Sequence, residues 1–170
     1  VPHALTWSGV QIDVLSPCSS TKRCRAQARS DWHENDNSLV VALRYAGRSV
    51  LMTGDIEADA EATLCQQQPP ASLRAEVLKL PHHGSRTSSS LALLQAVRPQ
   101  VAIASLGRHN RFGFPHPEPV SRLRRLQIPL LRTDQLGAIQ IEIPADGRLQ
   151  VTSQASAPPW SAWLPGRWMP

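Results

Sequence analysis

Val101 to Leu106 (VAIASL) is a run without a charge, between Pro99 and a stretch rich in Gly, Arg and His. A short strand that is apolar on both faces must be covered on both faces, which places it inside an α/β sheet. The remaining runs agree. Val10 to Leu15 (VQIDVL) alternates and ends at Ser16-Pro17. Ser38 to Tyr45 and Ser49 to Met52 flank Ala46-Gly47-Arg48, a hairpin pattern. Ala75 to Leu80 and the alternating Ala138 to Ile143 read as further strands. Three helices are predicted: Ile56 to Gln67 with acids early, Leu91 to Val97 before Pro99, and Glu118 to Leu126 behind Pro117. This order predicts an α/β fold, a mixed sheet covered by helices.

The 170 residues suffice for one domain with a layered core. We expect it to span 1–154, followed by a Pro/Trp-rich tail, 155–170, carrying Trp160, Trp163 and Trp168. An ordered flap and an interface-seeking segment both suit such a tail. The polar, basic stretch from Cys18 to Asp36 lacks periodicity and reads as a long loop. Its Cys18 and Cys24 suit either a small disulfide ring or free thiols, whereas Cys65 falls in a helical pattern as a small core residue. The net charge is +5, and every cation except Lys22 and Lys79 is Arg. That excess suits a polyanion or anionic lipid, or simply a solvated surface. No apolar run approaches the ~18–20 residues of a membrane span, and no signal peptide opens the chain. It begins Val1-Pro2-His3, so a piece of something longer is expected.

Chemistry concentrates in two motifs, Thr53-Gly54-Asp55 and Pro81-His82-His83-Gly84-Ser85, each closing an apolar strand-like run. Carboxylate oxygen and neutral imidazole are ligands for Zn²⁺ or Mn²⁺, which turn bound water into a nucleophile near neutral pH. Such a site needs Asp55 and the histidines together; a separation above about 8 Å would exclude a shared cation. Each residue also has a plainer role. Asp55 suits a helix N-cap, and His82 and His83 suit hydrogen-bonded loop positions. His116, between Pro115 and Pro117, either faces the same cleft or simply opens the next helix. Asn110 and Arg111 suit a substrate phosphate or a bare turn. Ser85 and Ser88 to Ser90 lack a nucleophile elbow and read as caps, and Arg122-Leu123-Arg124-Arg125 suits a solvated helix face more than a nucleic-acid footprint.

These motifs occur in a longer matching series. It runs from Asn35-Asp36-Asn37-Ser38-Leu39-Val40 through Leu51-Met52-Thr53-Gly54-Asp55-Ile56-Glu57 and Val77-Leu78-Lys79-Leu80-Pro81-His82-His83-Gly84-Ser85. It continues through Thr87-Ser88-Ser89-Ser90, Asn110-Arg111-Phe112-Gly113-Phe114-Pro115-His116-Pro117 and Arg132-Thr133-Asp134. From about Val10 to Val151 the chain resembles the C-terminal half of the metallo-β-lactamase-like domain (an αββα sandwich) of ComEC-type DNA-uptake proteins. The resemblance implies a metal-dependent nuclease acting on DNA during natural transformation. In the complete domain, two divalent ions, Mn or Zn, would be bridged by Asp55. His82 or His83 would complete one shell and the other would serve as partner or proton donor. Ser85, Asn110, Arg111 and His116 would touch substrate. It also implies a soluble domain of an inner-membrane protein, on the periplasmic side, joined to a membrane-embedded remainder and working with other competence machinery. Two departures stand out. The superfamily's His-any-His-any-Asp-His motif does not occur in this chain; the resemblance puts it in the preceding half of the domain. The histidine expected before Asp55 is replaced by His33-Glu34-Asn35-Asp36-Asn37. The chain alone is therefore expected to hold metal loosely and to be inactive, and a DNA-guiding module with a degenerate site is the rival reading.

Overall fold

Seven strands, in spatial order the same as chain order, form the central sheet of the computed structural model, which describes residues 3–17 and 34–155. They are β1 (His3–Trp7), β2 (Val10–Ser16), β3 (Val40–Tyr45), β4 (Arg48–Met52), β5 (Val77–Lys79), β6 (Val101–Ala104) and β7 (Leu130–Arg132). The first four pair antiparallel, and β4 to β7 run parallel. The connections explain the change of mode. A two-residue turn, Ala46-Gly47, joins β3 to β4, whereas a parallel neighbour needs a helical crossover. Those crossovers carry α1 (Ala58–Gln67), α2 (Pro70–Leu73), α3 (Leu91–Val97) and α4 (Pro117–Arg125). A short helix α5 (Thr133–Leu136) leads to a separate hairpin of β8 (Ile139–Glu142) and β9 (Gln150–Ser153). Among the described residues no helix is long and apolar enough to cross a membrane.

Strand alternation splits the core in two. Leu15, Val40, Ala42, Leu51, Leu78, Ala102 and Ala104 meet the helices through Ile56, Leu64, Leu93, Leu94 and Leu123. On the opposite face, Val50, Val77, Val101, Ile103 and Leu131 are covered by Leu149, Ile139, Ile141 and Val151 of the β8–β9 region. That cover stops short of the first strands. Leu5 stands opposite Ile12 and Ile12 opposite Leu43, on the same face as Trp7, and Leu5 and Trp7 are 60% and 75% exposed. Among the described residues, that end of the sheet face is exposed.

The predicted strands and helices exist, with differences at the ends. The helix after Asp55 begins at Ala58 instead of Ile56, so Asp55 does not cap it; Glu57 holds the cap position, without a side-chain cap bond. Ser90 does cap α3, accepting from Leu93 N at 3.2 Å. Cys65 is half-buried against the helix-side core, and burial pushes its thiol pKa up. Three strands, β1, β7 and β9, carry no distinct sequence signal, being short or at an edge. Cys18, Cys24, His33 and residues 156–170 lie outside the described residues, and with them the expected ring, most of the long loop and all but the first residue of the tail.

Candidate metal and phosphodiester site

Parallel strands aligned in register end together, and their C-terminal edge is where open α/β sheets gather functional groups. Met52, Lys79 and Ile103 lie side by side in β4, β5 and β6. The next residues of each strand therefore share one rim: Thr53-Gly54-Asp55, Pro81-His82-His83 and Ser105-Leu106-Gly107. Two hydroxyls lock that rim. Thr53 Oγ1, fully buried, donates to Lys79 O at 2.7 Å, and Thr133 Oγ1 accepts from Leu106 N and donates to Leu106 O.

The Asp55 turn requires glycine before it. Gly54 has φ +55, and a Cβ there would lie 2.6 Å from Ser38 Cβ. Ser38 Oγ in turn accepts from Asp55 N at 3.1 Å. The histidine turn is more unusual, because His82 (φ 44) and His83 (φ 57) are both left-handed. Such geometry costs an L-residue roughly 1–2 kcal/mol, and it persists where surroundings over-determine it. Here His82 N donates to Gly54 O, Ser85 N to His82 O, Ser88 Oγ to Pro81 O and His116 N to Gly84 O. The backbone is bent so that two imidazoles enter the cleft from one turn.

The two rings have different surroundings. His83 Nδ1 lies 2.7 Å from Ser105 O. A carbonyl only accepts, so Nδ1 carries a proton, and in the neutral ring Nε2 is the nitrogen with the lone pair, 3.6 Å from Asp55 Oδ1. His82 Nδ1 is buried and instead faces Glu57 Oε1 at 2.8 Å. Glu57 also accepts from Asn35 Nδ2 at 3.3 Å, and its backbone N donates to Asp36 Oδ1. Lys79 Nζ is the third party, donating to Gly54 O at 2.8 Å and lying 3.4 Å from Asp55 Oδ1. Burial pulls its pKa below 10.5, partly offset by Asp55.

Asp55, His82 and His83 line a cleft of about 490 Å³ with Ser105, Leu106, Gly107, Asn110, Phe112 and Phe114. The other predicted residues have different places. Asn110 spends its amide on its own loop, donating to Phe114 O and accepting from Phe114 N. Arg111 lies over the Phe112 ring. Ser85 is buried and bonded to Thr87. His116 caps α4, its Nδ1 accepting from Glu118 N at 3.3 Å. Neither Ser85 nor His116 lines the cleft. Sequence reasoning missed Lys79, Glu57, Ser105 and the Phe112–Phe114 wall. A lysine inside an apolar strand was a readable signal; Ser105 acts through its carbonyl and left none.

A cation's fit to this set is partial. Asp55 and His83 offer a carboxylate oxygen and an imidazole nitrogen 3.6 Å apart, whereas His82 turns its Nδ1 to Glu57. Yet among the described residues no group of three or more His, Cys, Asp or Glu is arranged to hold a metal ion, and a zinc shell commonly takes four ligands. Further donors would have to come from elsewhere.

Fold and rim together define a mixed-sheet α/β domain with a carboxylate–imidazole pair at its strand ends. No family model matches the chain. It is 37% identical over 131 residues to ComE operon protein 3 of Bacillus subtilis, covering 77% of this chain and 16% of that protein. It is 34% identical over 161 residues to Recombination protein 2 of Haemophilus influenzae, covering 94% and 19%. With Competence protein ComA of Neisseria gonorrhoeae it shares 36% over 141 residues, covering 83% and 19%. The chain belongs to the ComEC family. It spans less than a fifth of the length of these curated relatives.

Proposed function

We propose that the chain is the C-terminal half of a metallo-β-lactamase-like domain in a longer competence protein, and that this domain hydrolyses phosphodiester bonds of DNA during uptake. The observation that carries the reading is the 3.6 Å approach of His83 Nε2 to Asp55 Oδ1 on a shared strand rim. The exposure of Leu5 and Trp7 among the described residues supports the sandwich, since a second sheet from the rest of the domain would cover them. The names of the relatives support a role in competence. In this reading the remainder is membrane-embedded, the domain lies on the periplasmic side, and the partners are DNA and other competence machinery.

Asp55 and His83 would hold a divalent cation, Mn²⁺ or Zn²⁺, and a second ion would share Asp55 in the complete domain. Such a cation supplies an ionised water near neutral pH and neutralises charge growing on phosphorus. The chain's own residues do the rest. Ser105 fixes the His83 tautomer, the left-handed turn fixes both rings, and His82 stands beside the pair as proton donor to the leaving oxygen. Leu106 and Phe114 keep one wall apolar.

Tested in the longer polypeptide, this predicts Mn²⁺- or Zn²⁺-dependent cleavage of labelled DNA. Asp55→Ala and His83→Ala should each lower it by at least about 100-fold. A second reading has its own observation, the Lys79 ammonium set against Asp55. There the domain guides DNA without cutting it, and no metal restores cleavage.

A further inference from the structure

One wall of the cleft has no part in holding a cation. The segment after β6 exposes Arg108, His109, Arg111 and Phe112, and Phe112 is 67% exposed. The ring is organised rather than adrift. Phe112 stacks on Phe114 with centroids 5.7 Å apart and planes at 22°. Arg111 Cζ lies 5.3 Å from the Phe112 centroid. Phe114 meets His82 edge-on at 5.6 Å. A continuous series of ring contacts thus runs from the solvent lip to the histidine turn. Asn110 grips both backbone groups of Phe114, and Pro115 packs so tightly on Gly84 that a Cβ there would lie 2.9 Å from Pro115 Cβ.

We infer that Phe112, with Arg111, forms a stacking platform for an unpaired nucleobase, so that the strand presented to Asp55 and His83 is single-stranded DNA. This deepens the phosphodiester reading and rests on it for the role of the rim. A base inside a duplex has both faces taken by its neighbours, and only an unpaired one offers a free face. The charge near the ring fits the same occupant: Arg111 lies over it and exposed Arg108 belongs to the same segment, where a purely apolar ligand would need no guanidinium. Base on aromatic ring and phosphate on arginine together make a single-strand groove that ends at the catalytic rim.

The test is binding, read without metal so that hydrolysis plays no part. Fluorescence anisotropy in EDTA compares the full chain with labelled oligo(dT) of about 15 nucleotides, a duplex of equal length and an abasic strand of equal charge. Oligo(dT) should bind tightest. Phe112→Ala should weaken it by roughly 5- to 100-fold while leaving the abasic strand unchanged, and Phe112→Trp should restore it. Equal affinity for oligo(dT) and the abasic strand, a preference for duplex, or an indifferent Phe112→Ala variant would overturn the platform. Tighter binding of oligo(rU) would overturn its assignment to DNA. An intact oligo(dT) preference in a domain that never cleaves supports the platform and removes only the hydrolytic reading.

Discussion

Lys79 is the residue on which the two readings divide. Its ammonium and a divalent cation would compete for the same Asp55 oxygen, and burial already disfavours its charged form. Lys79→Met removes that competitor while keeping an apolar stem of similar length in β5. Asp55 is partly exposed, so screening keeps the effect small. Isothermal titration with Mn²⁺ should show affinity rising about threefold, or ~0.7 kcal/mol. A fall instead makes Lys79 a scaffold for the Gly54–Asp55 turn. At this scale His83 differs from His82 through one carbonyl, Ser105 O, which decides the nitrogen left free. Adjacent histidines in a sequence carry no such distinction.

Among elements, α1 is tied to the rim by a buried acid. Glu61 is fully buried and accepts from Ser89 N at 2.5 Å and Ser90 N at 2.7 Å. Arg122 of α4 grips the same bend through Ser88 O and Ser89 O. The Arg122–Arg125 pattern predicts a solvated basic face, but the Arg122 guanidinium holds this bend and Leu123 is fully buried. Glu61→Ala leaves two amides without an acceptor and should cost roughly 2–4 kcal/mol in urea unfolding. Burial raises the Glu61 carboxyl pKa above 4.5, against the pull of Ser90, Ser89 and Arg122. A carboxyl raised in the fold contributes fully below pH 4.5 and loses that contribution as pH climbs through its folded value. The stability of the wild type relative to Glu61→Gln should therefore shrink as pH rises above 4.5.

For the whole molecule, the decisive feature is that β8–β9 covers only part of one sheet face. Trp7, 75% exposed in this chain, should tolerate Glu here within about 0.5 kcal/mol. In the longer polypeptide, where the sandwich reading buries it, Trp7→Glu should cost about 2–4 kcal/mol by thermal melting. Equal tolerance in both would leave the face open and count against a covering sheet.

The apolar run at Val101, the hairpin about Ala46-Gly47 and the periodic helices fixed the layers from local pattern alone, because burial on two faces admits few residue types. The two motifs were legible for a related reason: a carboxylate or a histidine pair closing an apolar strand stands out from its context. Which groups meet was not legible. The approach of Asp55 to His83 depends on the register Met52–Lys79–Ile103, and strand register is a pairing between distant segments. The left-handed histidine turn, the Ser105 carbonyl and the Phe112 wall arise from backbone geometry across three loops. Only the tertiary structure sets them, because each contact is made by residues that the sequence keeps apart.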